Sequence, residues 1–159
     1  QFIRYEACTD EPSVRRELTR LTDAGLLTAD QAAMVNAGQL AAFFATPIGN
    51  NLAGGTQHIR EFKFSILDDG EKYGSGLEGE RVLLQGVVDC ALLEPDGITV
   101  LDFKTDRVTE ETLPQVAARY RLQLETYAEA LARIFQQPIK AKYLYFFHLN
   151  RFFGDQDPG

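Results

Sequence analysis

Two aspartates and a lysine stand where the chain should form a β-hairpin. The stretch GVVDCALLEPDGITVLDFKTD, Gly86 to Asp106, reads as two apolar strands joined by a tight turn. Asp and Lys are depleted in strands, so something should compensate for them. EPDG fits a β-turn, with Pro95 second, Asp96 third and Gly97 fourth. If that turn is the hairpin tip and no bulge intervenes, Asp89 faces Asp102. Lys104, two residues on, shares the Asp102 face and lies opposite Val87. Val88, Cys90, Leu101 and Phe103 then form an apolar core face, and the other face presents two carboxylates and an ammonium.

Like charges opposed across a strand pair repel, raise a pKa or collect a cation. Lys104 offsets one charge, and a divalent metal would resolve the rest. Carboxylate oxygens with water suit Mg²⁺ or Mn²⁺ better than zinc, which favours Cys and His. The chemistry that fits is phosphodiester hydrolysis. Asp89 and Asp102 would hold the ion, the Phe103 backbone carbonyl could add a ligand, and Lys104 would orient the attacking water or stabilise developing charge. The plain alternative is an exposed sheet face with a Lys–Asp surface pair. Both strands are so apolar that they belong in the middle of a sheet, where polar groups need partners.

The elements that must position these residues follow from pattern. Glu11 to Gly25 reads as a helix, with Pro12 in its first turn and Val14, Leu18 and Leu21 at helical spacing. A second helix runs from near Thr28 to the residue before Pro47. Residues 48–57 look like loop. REFKFSIL alternates as a strand, with Phe62, Phe64 and Ile66 on one face. A polar Gly-rich loop, 68–80, leads into the hairpin. A long helix follows from Leu113 to Gln136, with an apolar stripe of Ala117, Tyr120, Leu124, Tyr127, Leu131 and Ile134. KAKYLYFFHL is the last strand. The order is helix, helix, three strands, helix, strand, which predicts an α/β or α+β sheet with helices against it.

At 159 residues the chain has the size of one domain. No apolar run approaches ~18 residues, so no membrane span is expected, and no signal peptide pattern opens the sequence. It begins QFIRYEACTD, without Met and without a capping signal, and is expected to be part of something longer. The net charge of −7 is a poor footing for an autonomous nucleic-acid binder. The basic excess lies after the DFK motif: Lys104 to Arg151 holds eight Lys/Arg and five Asp/Glu. Cys8 and Cys90 are too few and too distant for a disulfide framework or an iron–sulfur cluster, and read as buried thiols. His58 and His148 have no metal-site spacing.

GVVD…LDFKTD followed by QLETY resembles the RecB-type branch of the PD-(D/E)XK nucleases. Nearest is the C-terminal nuclease domain of AddA-type helicase–nucleases, which act with AddB in double-strand-break processing. The resemblance runs over nearly the whole chain, from LLTADQAA and LAAFFATPIG through REFKFSI and YRLQLETYAEAL to KAKYLYFF. It implies a restriction-endonuclease-like fold: a mixed central sheet flanked by helices, with a helical part at 1–47 and a catalytic α/β core at 58–150. The whole of 1–159 would be one nuclease domain. It also implies a Mg²⁺-dependent deoxyribonuclease with no iron–sulfur cluster, cutting the strand that ends 3′. The single strand would be fed to it by ATP-driven helicase domains of the same polypeptide in a bacterial cytoplasm. Asp89, Asp102 and the Phe103 carbonyl become metal ligands, Lys104 the catalytic lysine, and Gln123 and Tyr127 the downstream motif. Those last two lie one helical turn apart and share a face.

Other readings stay open. Tyr127 also fits the apolar stripe as packing. Glu61 is either a solvated strand end or the acidic residue that RecB-like domains often carry there. Gly86 either allows close approach of backbone or substrate, or marks a bulge. The family's upstream histidine motif, GTxxH, does not occur in this sequence, which is expected to begin just downstream of it. His58 has the wrong context to replace it. A catalytically inactive RecB-like scaffold for DNA or partner docking is the competing function. A small-ligand binder lacks a Gly-rich phosphate loop at a strand–helix junction.

Overall fold

The structure, a computed structural model, describes residues 2–154; the expected range of 1–159 thus has its ends outside the described residues. Helix α1 (Glu11–Asp23) starts at a capping box in which Asp10 and Ser13 satisfy each other's amides. Gly25, with φ of 69°, ends it. The single second helix expected from the sequence is two: α2 (Ala29–Met34) and α3 (Ala37–Phe44). Val35 turns extended, and Asn36 caps α3 by accepting the Gln39 N–H. The loop expected at 48–57 is largely helix α4 (Pro47–Ala53), begun by Thr46, whose hydroxyl accepts the Gly49 N–H. Glycine and asparagine content had suggested loop; a Thr-Pro start and tertiary packing overrode it.

Five strands follow: β1 (His58–Asp69), β2 (Arg81–Glu94), β3 (Gly97–Lys104), β4 (Ile139–Phe146) and β5 (Arg151–Gly154). They lie in the order β1-β2-β3-β4-β5, all antiparallel except β3–β4. Helix α5 (Leu113–Phe135) is the crossover that this parallel pair requires. Gln136 adopts the left-handed conformation (φ 54°) and stops it ahead of Pro138. The short β5 was not expected: Arg151–Gly154 has too few residues for a periodic signal.

Both faces of the sheet are core, not one. Helix α5 covers one face, where Val100, Leu131, Leu144 and Phe146 are closed to solvent. The N-terminal helices cover the other, where Val14, Phe43, Leu92, Leu101 and Tyr145 meet. Each such side chain stabilises by ~1.5–3 kcal/mol relative to exposure. Ile134, expected on the α5 stripe, is 40% exposed. Over six turns the 3.6-residue period carries the stripe round, so that Ala128 and Ala130 are buried beside the expected Leu131.

Candidate active site

The hairpin pairs in the expected register as far as Cys90↔Leu101. Beyond that point β2 stays with β1, while Asp102, Phe103 and Lys104 run in parallel register with Leu144, Tyr145 and Phe146 of β4. The two strands part at Asp89 and Asp102. Lys104 therefore does not lie opposite Val87. The Phe103 N–H has lost a main-chain partner and donates to Asp89 Oδ2 at 2.8 Å. Buried amides need an acceptor, and here a carboxylate replaces the neighbouring strand. That is how an apolar strand accommodates an aspartate.

The split changes which side chains share a face. Val88 packs on the α5 side and Cys90 on the opposite side, although strand alternation would unite them. β1 flips at the facing position: Ile59 and Phe62 both pack toward α5, and Glu61 between them has φ of 46°. The ladder skips Glu61, which falls between Arg60↔Cys90 and Phe62↔Val88, at the level of Asp89. A non-glycine residue held there costs ~1–3 kcal/mol, a strain that concentrates at functional sites.

Asp102 and Lys104 project to the α5 side, where the Lys104 ammonium forms an ion pair with Asp102 Oδ2. Its Nζ also donates to Gln123 Oε1 at 3.1 Å and lies 3.8 Å from the centroid of the Tyr120 ring. Gln123 Nε2 in turn donates to the Tyr127 hydroxyl at 2.8 Å. Tyr127 thus combines both of its readings, since its ring packs edge-on against Phe64. Gly86 makes room for that pair: a Cβ there would stand 2.7 Å from the Tyr127 ring and 2.8 Å from Phe64. The ladder continues through Phe64↔Gly86, so Gly86 is not a bulge, and the groups approaching it are aromatic rings.

Tyr120 and Asp106 complete the arrangement. The sequence pattern assigns Tyr120 to the apolar stripe, but its hydroxyl donates to both Asp106 oxygens, at 3.0 and 3.1 Å. The available signal was spacing: Tyr120 precedes Gln123 by three residues and shares its face of α5. His58 lies away from this cluster, stacked on Tyr5.

The electrostatics are under-compensated. Burial pushes the Asp89 carboxyl above its ordinary range, helped by the neighbouring Asp102 and opposed by the Phe103 amide and Lys104. Asp102 is 3% exposed, and its Oδ2, though in contact with the lysine, receives no well-formed hydrogen bond. Among the described residues no three His, Cys, Asp or Glu side chains gather as a metal cage. The side-chain oxygens at the split are those of the two carboxyls. Two neighbouring carboxyls that share one ammonium fit a hard divalent cation.

A mixed sheet between helical layers, with a D…DxK trio at the parting of two central strands, defines a nuclease-type α/β domain. The chain belongs to the PD-(D/E)XK nuclease superfamily, which it matches over residues 3–154. It is 42% identical over 157 residues to an ATP-dependent helicase/nuclease subunit from Geobacillus thermodenitrificans, covering 92% of this chain and 13% of that protein. The protein of the same name from Pelotomaculum thermopropionicum is 40% identical over 92% of the chain and 12% of its own length. That from Desulforudis audaxviator is 38% identical over 83% and 11%. The chain therefore spans only about an eighth of these relatives.

Proposed function

We propose that the chain hydrolyses DNA phosphodiester bonds with a divalent metal, as the nuclease domain of a helicase–nuclease that processes double-strand breaks. The observation that carries this is the meeting of Asp89, Asp102 and Lys104 where β2 and β3 part, two buried carboxyls beside a single ammonium. Asp89, Asp102 and the Phe103 carbonyl would hold Mg²⁺ or Mn²⁺. Bound there, the ion supplies a Lewis acid for the phosphate and a more acidic water. Lys104 stabilises the negative charge that develops on the phosphate or orients the attacking water. Gln123, braced by Tyr127, and the face of Tyr120, braced by Asp106, fix the ammonium so that little reorganisation is needed. The strained backbone at Glu61, level with Asp89 on the neighbouring strand, would help shape the site.

The net charge of −7 suits a strand delivered by a tethered motor better than one captured from solution. The names of the relatives support an ATP-driven motor in the same polypeptide, and the resemblance to the AddA type supports an AddB-type partner and a place in the bacterial cytoplasm.

The test is nicking of single-stranded DNA in Mg²⁺ or Mn²⁺. Asp89→Ala and Lys104→Ala should each lower the rate by ~10²–10³ with the thermal melt retained. Variants that are folded and cut at the normal rate would end the assignment.

A further inference from the structure

A groove of about 520 Å³ opens at the C-terminal ends of β3 and β4, next to the candidate active site but on the other side of the sheet. Thr105 lines it, and Val35, Leu40 and Phe147 of the same lining pack with the core under the N-terminal helices, away from α5. Phe147, also in the lining, donates its N–H to the Lys104 carbonyl at 3.1 Å. One wall of the groove is therefore fastened to the backbone of the catalytic lysine. In open α/β sheets, ligands collect outside the carboxyl ends of parallel strands.

The lining has a definite chemistry. Leu40 and Phe147 supply an apolar floor, and Met34, 78% exposed, an apolar rim. Arg107 and His148 stand beside them, and among the described residues Arg107 makes no ion pair or hydrogen bond. Among the described residues no Asp or Glu lines the groove, although the chain carries 23. Asn36 and Gln39 add carboxamides able to donate and accept. A free cation beside an aromatic floor, in an otherwise acidic protein, suits an anion that carries a flat apolar face. Single-stranded nucleic acid has both, and its binders combine cationic grooves with stacking side chains.

We propose that this groove is a nucleotide subsite: it seats one unpaired base of the strand whose phosphate reaches Asp89, Asp102 and Lys104. Arg107 contacts the adjoining phosphate, and Phe147 with Met34 takes the base. The proposal rests on the nuclease reading for its choice of strand. By gripping the strand on the far side of the β3 end, the groove would set which phosphate meets the lysine.

The experiment uses single-stranded DNA of about 15 nucleotides, within the range such sites cover, carrying 5-iodouracil. It is irradiated with the chain in Ca²⁺, and the adducts are mapped by mass spectrometry. Crosslinks at Met34, Phe147 or His148 are expected. Arg107→Glu should weaken binding and raise KM by about tenfold, with kcat within about twofold, while Arg15→Glu on α1 changes neither. Crosslinks elsewhere, in a chain that still cuts, overturn the subsite, leave the nuclease reading intact, and leave the groove to a protein segment. Crosslinks in the groove of a chain that never cuts support the subsite and overturn the nuclease reading. Neither crosslinks nor cutting overturns both.

Discussion

Asp102 and Glu17 are both carboxylates nearly closed to water, at 3% and 2% exposed, yet they keep opposite company. Glu17 on α1 accepts from Arg20 through Nε at 2.9 Å and Nη2 at 2.6 Å. Arg4 adds its guanidinium at 2.8 Å and its main-chain N–H at 2.9 Å. Those donors, Arg20 foremost, hold the Glu17 carboxyl at about 2. Asp102 has one lysine, which it shares with a second carboxyl nearby. On the proposed function, the contrast separates a structural acid from a working one. Full compensation stabilises a fold and leaves no valence to spare, whereas under-compensation is tolerable only where something else arrives to satisfy it.

Asp102→Asn puts the largest load on this contrast. The site should lose ~10³-fold in cutting rate, and the melting temperature should change little, because Asp89 remains as a counter-charge for Lys104. A fall in stability with activity intact would show that Asp102 is another Glu17. The mirror experiment is Glu17→Gln, which strands two arginines. Because these are 52% and 35% exposed, the loss should sit at the low end for a broken pair, about 2 kcal/mol by urea unfolding. The rate per folded molecule should not change.

A smaller effect concerns the seat of the lysine. Tyr120→Leu removes the ring under Lys104 and should cost about tenfold in kcat with KM little changed. Tyr120→Phe keeps the ring and should recover most of that loss. Equal losses in the two variants would place the effect in the Asp106 bond and not in the ring face.

The smallest effect is the pH dependence of the compensated acids. Glu17 and Asp68 are both held at about 2, below their ordinary values; Arg20 leads for the first, and for the second the Tyr73 hydroxyl followed by Lys72. Groups so depressed stabilise fully above the ordinary carboxylate range and lose that contribution as pH falls from about 4.5 toward 2. Thermal melts should drop across that window, and Glu17→Gln should flatten the drop. A slope unchanged in the variant would remove Glu17 from the account.

Much of the site was legible because its geometry is local. The EPDG turn pins the hairpin register, so Asp89 and Asp102 reach the same level without any knowledge of the rest of the chain. Gln123 and Tyr127 share a helical face by spacing alone. Tyr120 was hidden because an aromatic on an apolar stripe has the same pattern whether its hydroxyl is idle or bonded to Asp106. The break at Val35–Asn36 was hidden because apolar residues continue across it. Helix α4 was hidden because its Gly and Asn content contradicts its packing.

Which two apolar strands and which helix bring the candidate residues close was written in the sequence. These follow from periodicity and turn chemistry, which act over a few residues. That β2 and β3 part company at Asp89 was settled by tertiary structure alone. The parting depends on β3 keeping its parallel partner 42 residues on, at Asp102↔Leu144, while β2 keeps β1. No local rule expresses a competition between distant strands for the same backbone groups, and the site exists because neither neighbour gives way.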